Sequence, residues 1–441
     1  MPSAVPTHDA RLPFATLATL FVGYACSYFH RADLAVLGPL WNGDAAAAAM
    51  AAALPDIASL GLFVYALGKF VGGALAERFG GRRLFVGALA TACVAELAAA
   101  ACTTPGPFAA CRVVGMLVLA LAWPALGHLV HDLVPRHRLA TVMAFLSQSY
   151  LLGDAAVRAV LALVIERGGR APEVLHTAAI GLGAGAVLSG GAFLLLRQRR
   201  RAASVANARS AAEPASLATN PMANAAEPAG GNAAEHAEAA RASWRAMGWL
   251  AGMNVALAIV RESLSFWSPV LLVELAAMSA EQAVQSSALL PLVSGVGVLL
   301  AGPFADRGPR TLSLVLVPPA LLGAIGLFWL GQGPAQPTAV LVVLALCSGL
   351  LAMPTSLASG VLPLRAARHG GAKRLGLVDG AGTLGAVLAG SGIGRVREHT
   401  STAVAFTVLA VVALVAAVFA GGYLRRQAAL TRDGAAAPPH R

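Results

Sequence analysis

Charge is what this sequence has least of. Only 12% of its 441 residues are Asp, Glu, Lys or Arg, against about 25% in an ordinary soluble domain. A chain so poor in charge cannot clothe a conventional water-exposed surface. Lysine is almost missing: Lys69 and Lys373 stand against thirty arginines. Cysteine is scarce as well. Cys26, Cys93, Cys102, Cys111 and Cys347 have no metal-type spacing and lie in or beside apolar stretches. They read as small apolar fillers, which excludes a disulfide framework and a zinc site. His128, His131 and His137 lack a convincing set of Cys, Asp or Glu around them, so no metal is expected. No nucleophile–base pair is visible, which argues against an enzyme. The glycine-rich "GAGTLGAVLAGSGIG" has no strand before it and reads as close helix packing, so no cofactor is implied.

What is abundant is apolar sequence. The chain is 57% hydrophobic, with a mean hydropathy of +0.71. The apolar residues fall into twelve blocks, at 13–41, 53–76, 83–104, 107–133, 138–165, 175–197, 244–275, 282–305, 311–331, 337–363, 375–394 and 401–424. Each is close to the ~20 residues that span a hydrocarbon core. Lipid offers no partner to a free backbone N–H or C=O, so these blocks must be helices. The fold class expected is an all-α membrane protein of twelve transmembrane helices in two six-helix bundles, with the lipid bilayer as its first partner.

The net charge of +11 would suit nucleic acid if it were gathered on one face. Instead the arginines sit in alternate loops, such as Arg78, Arg82 and Arg83, Arg136 and Arg138, and Arg197 to Arg201. This is the positive-inside pattern. It excludes a nucleic-acid partner and predicts a multi-pass protein of the cytoplasmic membrane with both termini in the cytoplasm. Residues 198–243, rich in Ala, Ser, Asn, Pro and Glu, read as a disordered cytoplasmic linker. The expected domains are residues 1–197 and 244–441.

The two halves echo each other. "YFHRADLAVLGPLW" contains Arg31, Leu34 and Pro39; "RESLSFWSP" contains Arg261, Leu264 and Pro269 at the same spacing, 230 residues later. "GGALAERFGGRR" (72–83) and "AGPFADRGPR" (301–310) place Glu77-Arg78 and Asp306-Arg307 229 residues apart. Repeated six-helix halves with a site between them are a transporter architecture.

The loop after the second block resembles the signature of the major facilitator superfamily, and "CRVVG" (111–115) suggests the signature of its fourth helix. Within that superfamily the chain resembles the organophosphate:phosphate antiporters. The matching residues are "GYACSYFHR", "YALGKF", Trp123-Pro124 and "RESLSFWSP". The resemblance implies that Arg31 and Arg261, one from each half, clamp a phosphoryl group. A fork of N–H donors suits an anion bidentately. An arginine deep in a membrane costs on the order of 3 kcal/mol on insertion scales, so it normally faces a cavity. The structural alternative for each is an ion pair.

Tyr24 and Tyr28 precede Arg31 by seven and three residues and share its helix face. Tyr65 and Lys69 form a similar pair in the second block, and Lys69 matches a lysine of the antiporters. These residues, with Tyr150, are the expected substrate site. Tyr150 stands where the antiporters have a histidine. Asp154 and Arg158, four apart, suit either the pocket or a satisfied ion pair. Glu262 and Asp379 are further candidate pocket or coupling charges. Asp379 lies 229 residues after Tyr150, as its repeat partner. Glu77, Arg78, Asp306 and Arg307 are expected to gate the bundles from their loops.

The function expected is exchange of a small organic phosphate for inorganic phosphate by a monomeric carrier. Two alternatives stay open: a proton-coupled carboxylate symporter, and a non-transporting membrane receptor for a sugar phosphate. The topology is directly testable. A cysteine at Ser216, in a background lacking the five native ones, should resist an impermeant maleimide applied to intact cells; ready labelling would overturn the assignment of both termini to the cytoplasm.

Overall fold

In a computed structural model, the described residues are 14–42, 47–211, 233–278, 280–287, 289–333, 336–366, 370–389 and 393–436. Every regular element among them is helical. The first six spans are α1 (Phe14–Cys26) with α2 (Phe29–Asn42), α3 (Ala48–Phe79), α4 (Gly81–Ala100), α5 (Pro105–Ala120) with α6 (Ala122–Leu133), α7 (Leu139–Glu166) and α8 (Ala171–Ala211). The last six begin with α9 (Ala233–Ala276), then the short α10 (Ala280–Ser287) and α11 (Leu289–Asp306), followed by α12 (Pro309–Gly331). After these come α13 (Pro337–Ser356), continued by a π-helical turn into α14 (Leu362–Arg365), α15 (Gly371–Leu388) with α16 (Gly394–His399), and α17 (Thr402–Ala436). This is the expected twelve-span, two-bundle fold.

Nine of the helical spans are long and apolar enough by themselves to cross a membrane, among the described residues. The other three are the interrupted first span, α9 and α15. They carry Arg31, Arg261 with Glu262, and Asp379 respectively. The first span breaks at Ser27: its N–H and its hydroxyl both turn back to the Tyr24 carbonyl, at 3.0 and 2.6 Å. The hydroxyl thus competes with the regular ladder.

One boundary differs from the sequence reading. The stretch read as a disordered linker, 198–243, is helical at both ends, through Ala211 and from Ala233. Alanine and arginine are strong helix formers, and they let a membrane helix run on past its apolar block. Residues 212–232 lie outside the described residues.

The bundles pack through α3 against α15 and α7 against α11. Small residues make this possible. A Cβ on Gly73 would collide with the backbone of Ala372 and Lys373, and one on Gly376 would lie 2.5 Å from the Lys69 carbonyl oxygen. The helices therefore meet backbone to backbone, where dispersion contacts are densest. Overpacking costs about 1–3 kcal/mol, so Gly73→Leu should lower the thermal stability of the purified protein. Gly87→Leu, whose side chain would meet open space, should not. Equal melting of both variants would show that the α3–α15 crossing is not close-packed.

Candidate functional site

Arg31 leaves α2 towards the space between the bundles. Its Nη1 donates to the Tyr28 hydroxyl at 2.7 Å. Its guanidinium stacks over the Tyr28 ring at 4.6 Å and the Tyr65 ring at 4.9 Å. Such face-on placement is favourable for a cation, the more so when desolvated. Tyr24 and Tyr65 are almost fully buried. The Tyr24 ring lies 5.1 Å from that of Trp123. The tyrosines expected beside Arg31 are therefore there, forming an aromatic wall that holds the guanidinium.

The second bundle contributes Arg261 and Glu262 from α9. They pair with one another, and each side chain remains more than a third exposed. Tyr150 of α7 is near enough to act through space on Arg261. Glu262 is near enough to act through space on Arg31 and on Lys69. Arg31, Arg261, Lys69, Tyr28, Tyr65, Tyr150 and Glu262 thus form one electrostatic neighbourhood.

Lys69 does not stand free in it. Its Nζ pairs with the Asp379 carboxylate at 2.7 Å, both side chains about nine-tenths buried. It also lies 4.9 Å from the Tyr65 ring centroid. The pair joins α3 to α15, one helix from each bundle. The sequence reading named both residues but did not pair them. It counted three cations in the site; with Glu262 and Asp379 present, the five charges sum to one positive. Asp154 and Arg158 pair within α7 at 3.0 Å, half exposed, as the structural alternative foresaw.

The loop acids do a matching job at the end of the bundles near Phe79 and Asp306. Glu77, at the end of α3, accepts from the Lys373 backbone N–H at 2.9 Å, at the start of α15. Asp306, at the end of α11, accepts from the N–H groups of Ala140 and Thr141 at 3.1 and 2.8 Å, at the start of α7. The Thr141 hydroxyl adds a bond of 2.6 Å, and Arg365 closes over Asp306. Each acid satisfies N–H groups that a helix start leaves orphaned, and each meets the positive end of a helix dipole. Each reaches into the opposite bundle. Arg78 and Arg307 lie over the Phe79 and Phe304 rings. Trp123 donates across the same seam to the Ser359 carbonyl at 3.0 Å.

A second charged cluster escaped the sequence reading. His30 and Asp33 of α2, Glu96 of α4 and Arg112 of α5 are buried together, none more than 1% exposed. Arg112 donates to both Asp33 oxygens at 2.6 and 2.8 Å and to Glu96 at 2.9 Å. His30 Nδ1 pairs with Glu96. Gly115 leaves room for the imidazole, since a Cβ there would overlap the ring. The signal was available: each of these residues is a charged or titratable group inside an apolar block. Their oxygens and nitrogens are close enough for a metal ion. The Arg112 guanidinium already fills the centre, and a second cation there would meet its charge.

Removing one partner of a buried pair strands the other, at a cost of about 3–5 kcal/mol. Asp379→Asn should therefore destabilise the purified protein and reduce cross-linking between cysteines placed on α3 and α15. The exchange Lys69→Asp with Asp379→Lys should restore much of both. If Asp379→Asn melts like the wild type, the pair is not holding the bundles.

No curated protein sequence matches the chain. The family profile described as Major Facilitator Superfamily matches residues 20–389. Among solved structures, the proton:xylose symporter XylE of E. coli superposes with a TM-score of 0.66 at 16% identity, covering 93% of this chain and 95% of that one. The fucose:proton symporter FucP of E. coli gives 0.64 at 16%, covering 94% and 99%. The human organic anion transporter MFSD10 gives 0.64 at 13%, covering 92% and 99%. With the repeated halves, the charged centre between them and a profile match across most of its length, this chain belongs to the Major Facilitator Superfamily.

Proposed function

We propose that this protein carries a small organic anion by alternating access, exchanging an organic phosphate for inorganic phosphate. The observation that carries the reading is the repeat-related pair Arg31 and Arg261. One guanidinium comes from each bundle, both lie in a tyrosine-lined centre, and the surrounding charges leave one positive charge in excess. A phosphate monoanion balances that excess. A dianion fits if it takes Arg261 from Glu262, since a phosphoryl group presents the same paired oxygens to the guanidinium fork.

Each bundle contributes one arginine, so a bound anion draws the halves together and lowers the cost of enclosing the site. An empty site keeps the unmatched charge of Arg31 in low dielectric. Closure is then easier loaded than empty, which favours exchange over one-way flow. The acids Glu77 and Asp306 act as latches at the end carrying the chain termini, which the arginine-rich loops assign to the cytoplasm. The resemblance to the organophosphate:phosphate antiporters supports phosphate as the substrate group.

Proton-coupled carboxylate symport is the second reading. It is favoured by Glu262 and Asp379, two carboxylates already seated on the site's cations. Proteoliposomes loaded with radiolabelled phosphate decide between them. Phosphate and phosphate monoesters outside should release the label. Efflux triggered by monocarboxylates and by no phosphate compound would overturn the exchange reading. Arg31→Lys and Arg261→Lys should each cut exchange severely without unfolding the protein, because a point charge does not reproduce a bidentate clamp. Transport at the wild-type rate by both variants would refute the clamp.

A further inference from the structure

We propose that His30 and Glu96 form a proton-binding site, separate from the anion site, whose proton exchanges with water as α2 moves during transport.

The argument starts from charge. Arg112 is balanced by Asp33, to which it donates at both oxygens. That leaves His30 and Glu96 as a pair, both side chains fully buried. With one proton between them they are neutral, as imidazolium and carboxylate or as imidazole and carboxylic acid. Arg112 also donates to Glu96, so without that proton one guanidinium faces two carboxylates and the buried cluster keeps one net negative charge, which is costly. The hydrogen bonds agree. His30 Nδ1 faces Glu96, and Nε2 faces the Arg112 carbonyl oxygen at 3.3 Å. Nε2 faces a carbonyl and so carries a proton, which leaves Nδ1 between the Glu96 carboxylate and Arg112 Nη1 at 3.0 Å; a proton shared by Nδ1 and the carboxylate relieves the contact of their lone pairs.

The charged groups facing the pair are Asp33 of α2 and Arg112 of α5. The thiols of Cys93 and Cys111 stand beside Glu96 on α4 and α5. Arg112 raises the affinity of no proton; it holds the geometry. Its Nη2 also donates to the His30 backbone carbonyl, so the guanidinium grips α2 by main chain and side chain together.

Movement enters through α2. This helix is only 14 residues long and starts just after the break at Ser27. Tyr28 and Arg31 lie on the face towards the anion, His30 and Asp33 on the face towards α4 and α5. An anion that pulls Arg31 across to the second bundle also pulls the opposite face out of its clamp. Water then reaches the pair, and the proton passes between water and the shared site on Nδ1 and the carboxylate oxygen. No other bond forms or breaks.

The full-length protein tests this in two ways. Thermal unfolding is followed by tryptophan fluorescence from about pH 5 to about pH 9. A site that binds its proton more tightly folded than unfolded stabilises at low pH and loses that stability as pH rises. The wild type should show this fall. Glu96→Gln, and the double variant His30→Gln with Glu96→Gln, keep the hydrogen bonds without the proton and should lose the slope. An unchanged slope in both variants overturns the proposal.

The second measurement uses inorganic phosphate as the probe in proteoliposomes. An inward proton gradient should stimulate phosphate uptake by the wild type. Glu96→Gln should lose that stimulation while retaining phosphate self-exchange at equal pH on both sides. Stimulation equal to the wild type in Glu96→Gln overturns the coupling. If phosphate is not carried at all, the phosphate reading of the arginine pair fails, and the unfolding comparison alone decides the proton site.

Discussion

The Lys69–Asp379 ion pair sits where the two bundles cross, about nine-tenths buried on either side. A pair so placed is strong only while both partners are present, because neither charge has water to fall back on. The close approach of α3 and α15 through Gly73 and Gly376 brings the two side chains within reach. In turn the pair removes Lys69 from the anion site's free charge. Arg31 is then the cation for which the five-charge centre has no matching carboxylate. The charge balance of the centre and the seam between the bundles both depend on this one contact.

The same rule, that charge inside the bilayer must be matched, organises the rest of the molecule. The second cluster solves it with Arg112 at the centre of two carboxylates and an imidazole. The five-charge centre around Arg31 solves it only in part, leaving one positive charge in excess. The short α2 carries one side of each arrangement. Its two charged faces are the physical link between a site built to stay balanced and one with charge in excess.

Much of this was legible in the chain. The twelve apolar blocks, the paired Arg-x-x-Leu-x-x-x-x-Pro segments and the Glu-Arg and Asp-Arg loops stand out because a membrane tolerates few charges, so each departure is conspicuous. Tyr24, Tyr28 and Arg31 could be placed together because they share one helix face. What could not be read was partnership between helices. Lys69 and Asp379 are 310 residues apart, and helical spacing says nothing about which distant side chain a residue meets. His30, Asp33 and Glu96 were overlooked for the same reason. The helical ends of 198–211 and 233–243 were missed because local helix propensity was judged against apolar content, and only the latter ends at the membrane.

Glu77 and Asp306 accept from backbone N–H groups of the opposite bundle, joined at Asp306 by the Thr141 hydroxyl and Arg365. A main-chain donor is supplied by any residue but proline. Positions 140 and 373 are therefore open to sequence drift without loss of the contact, whereas the two acids are not. Descendants of this gene are free to re-tailor positions 140 and 373, for solubility or for a new neighbour, and still keep these contacts between the bundles. Replacement by proline there would remove the donor itself.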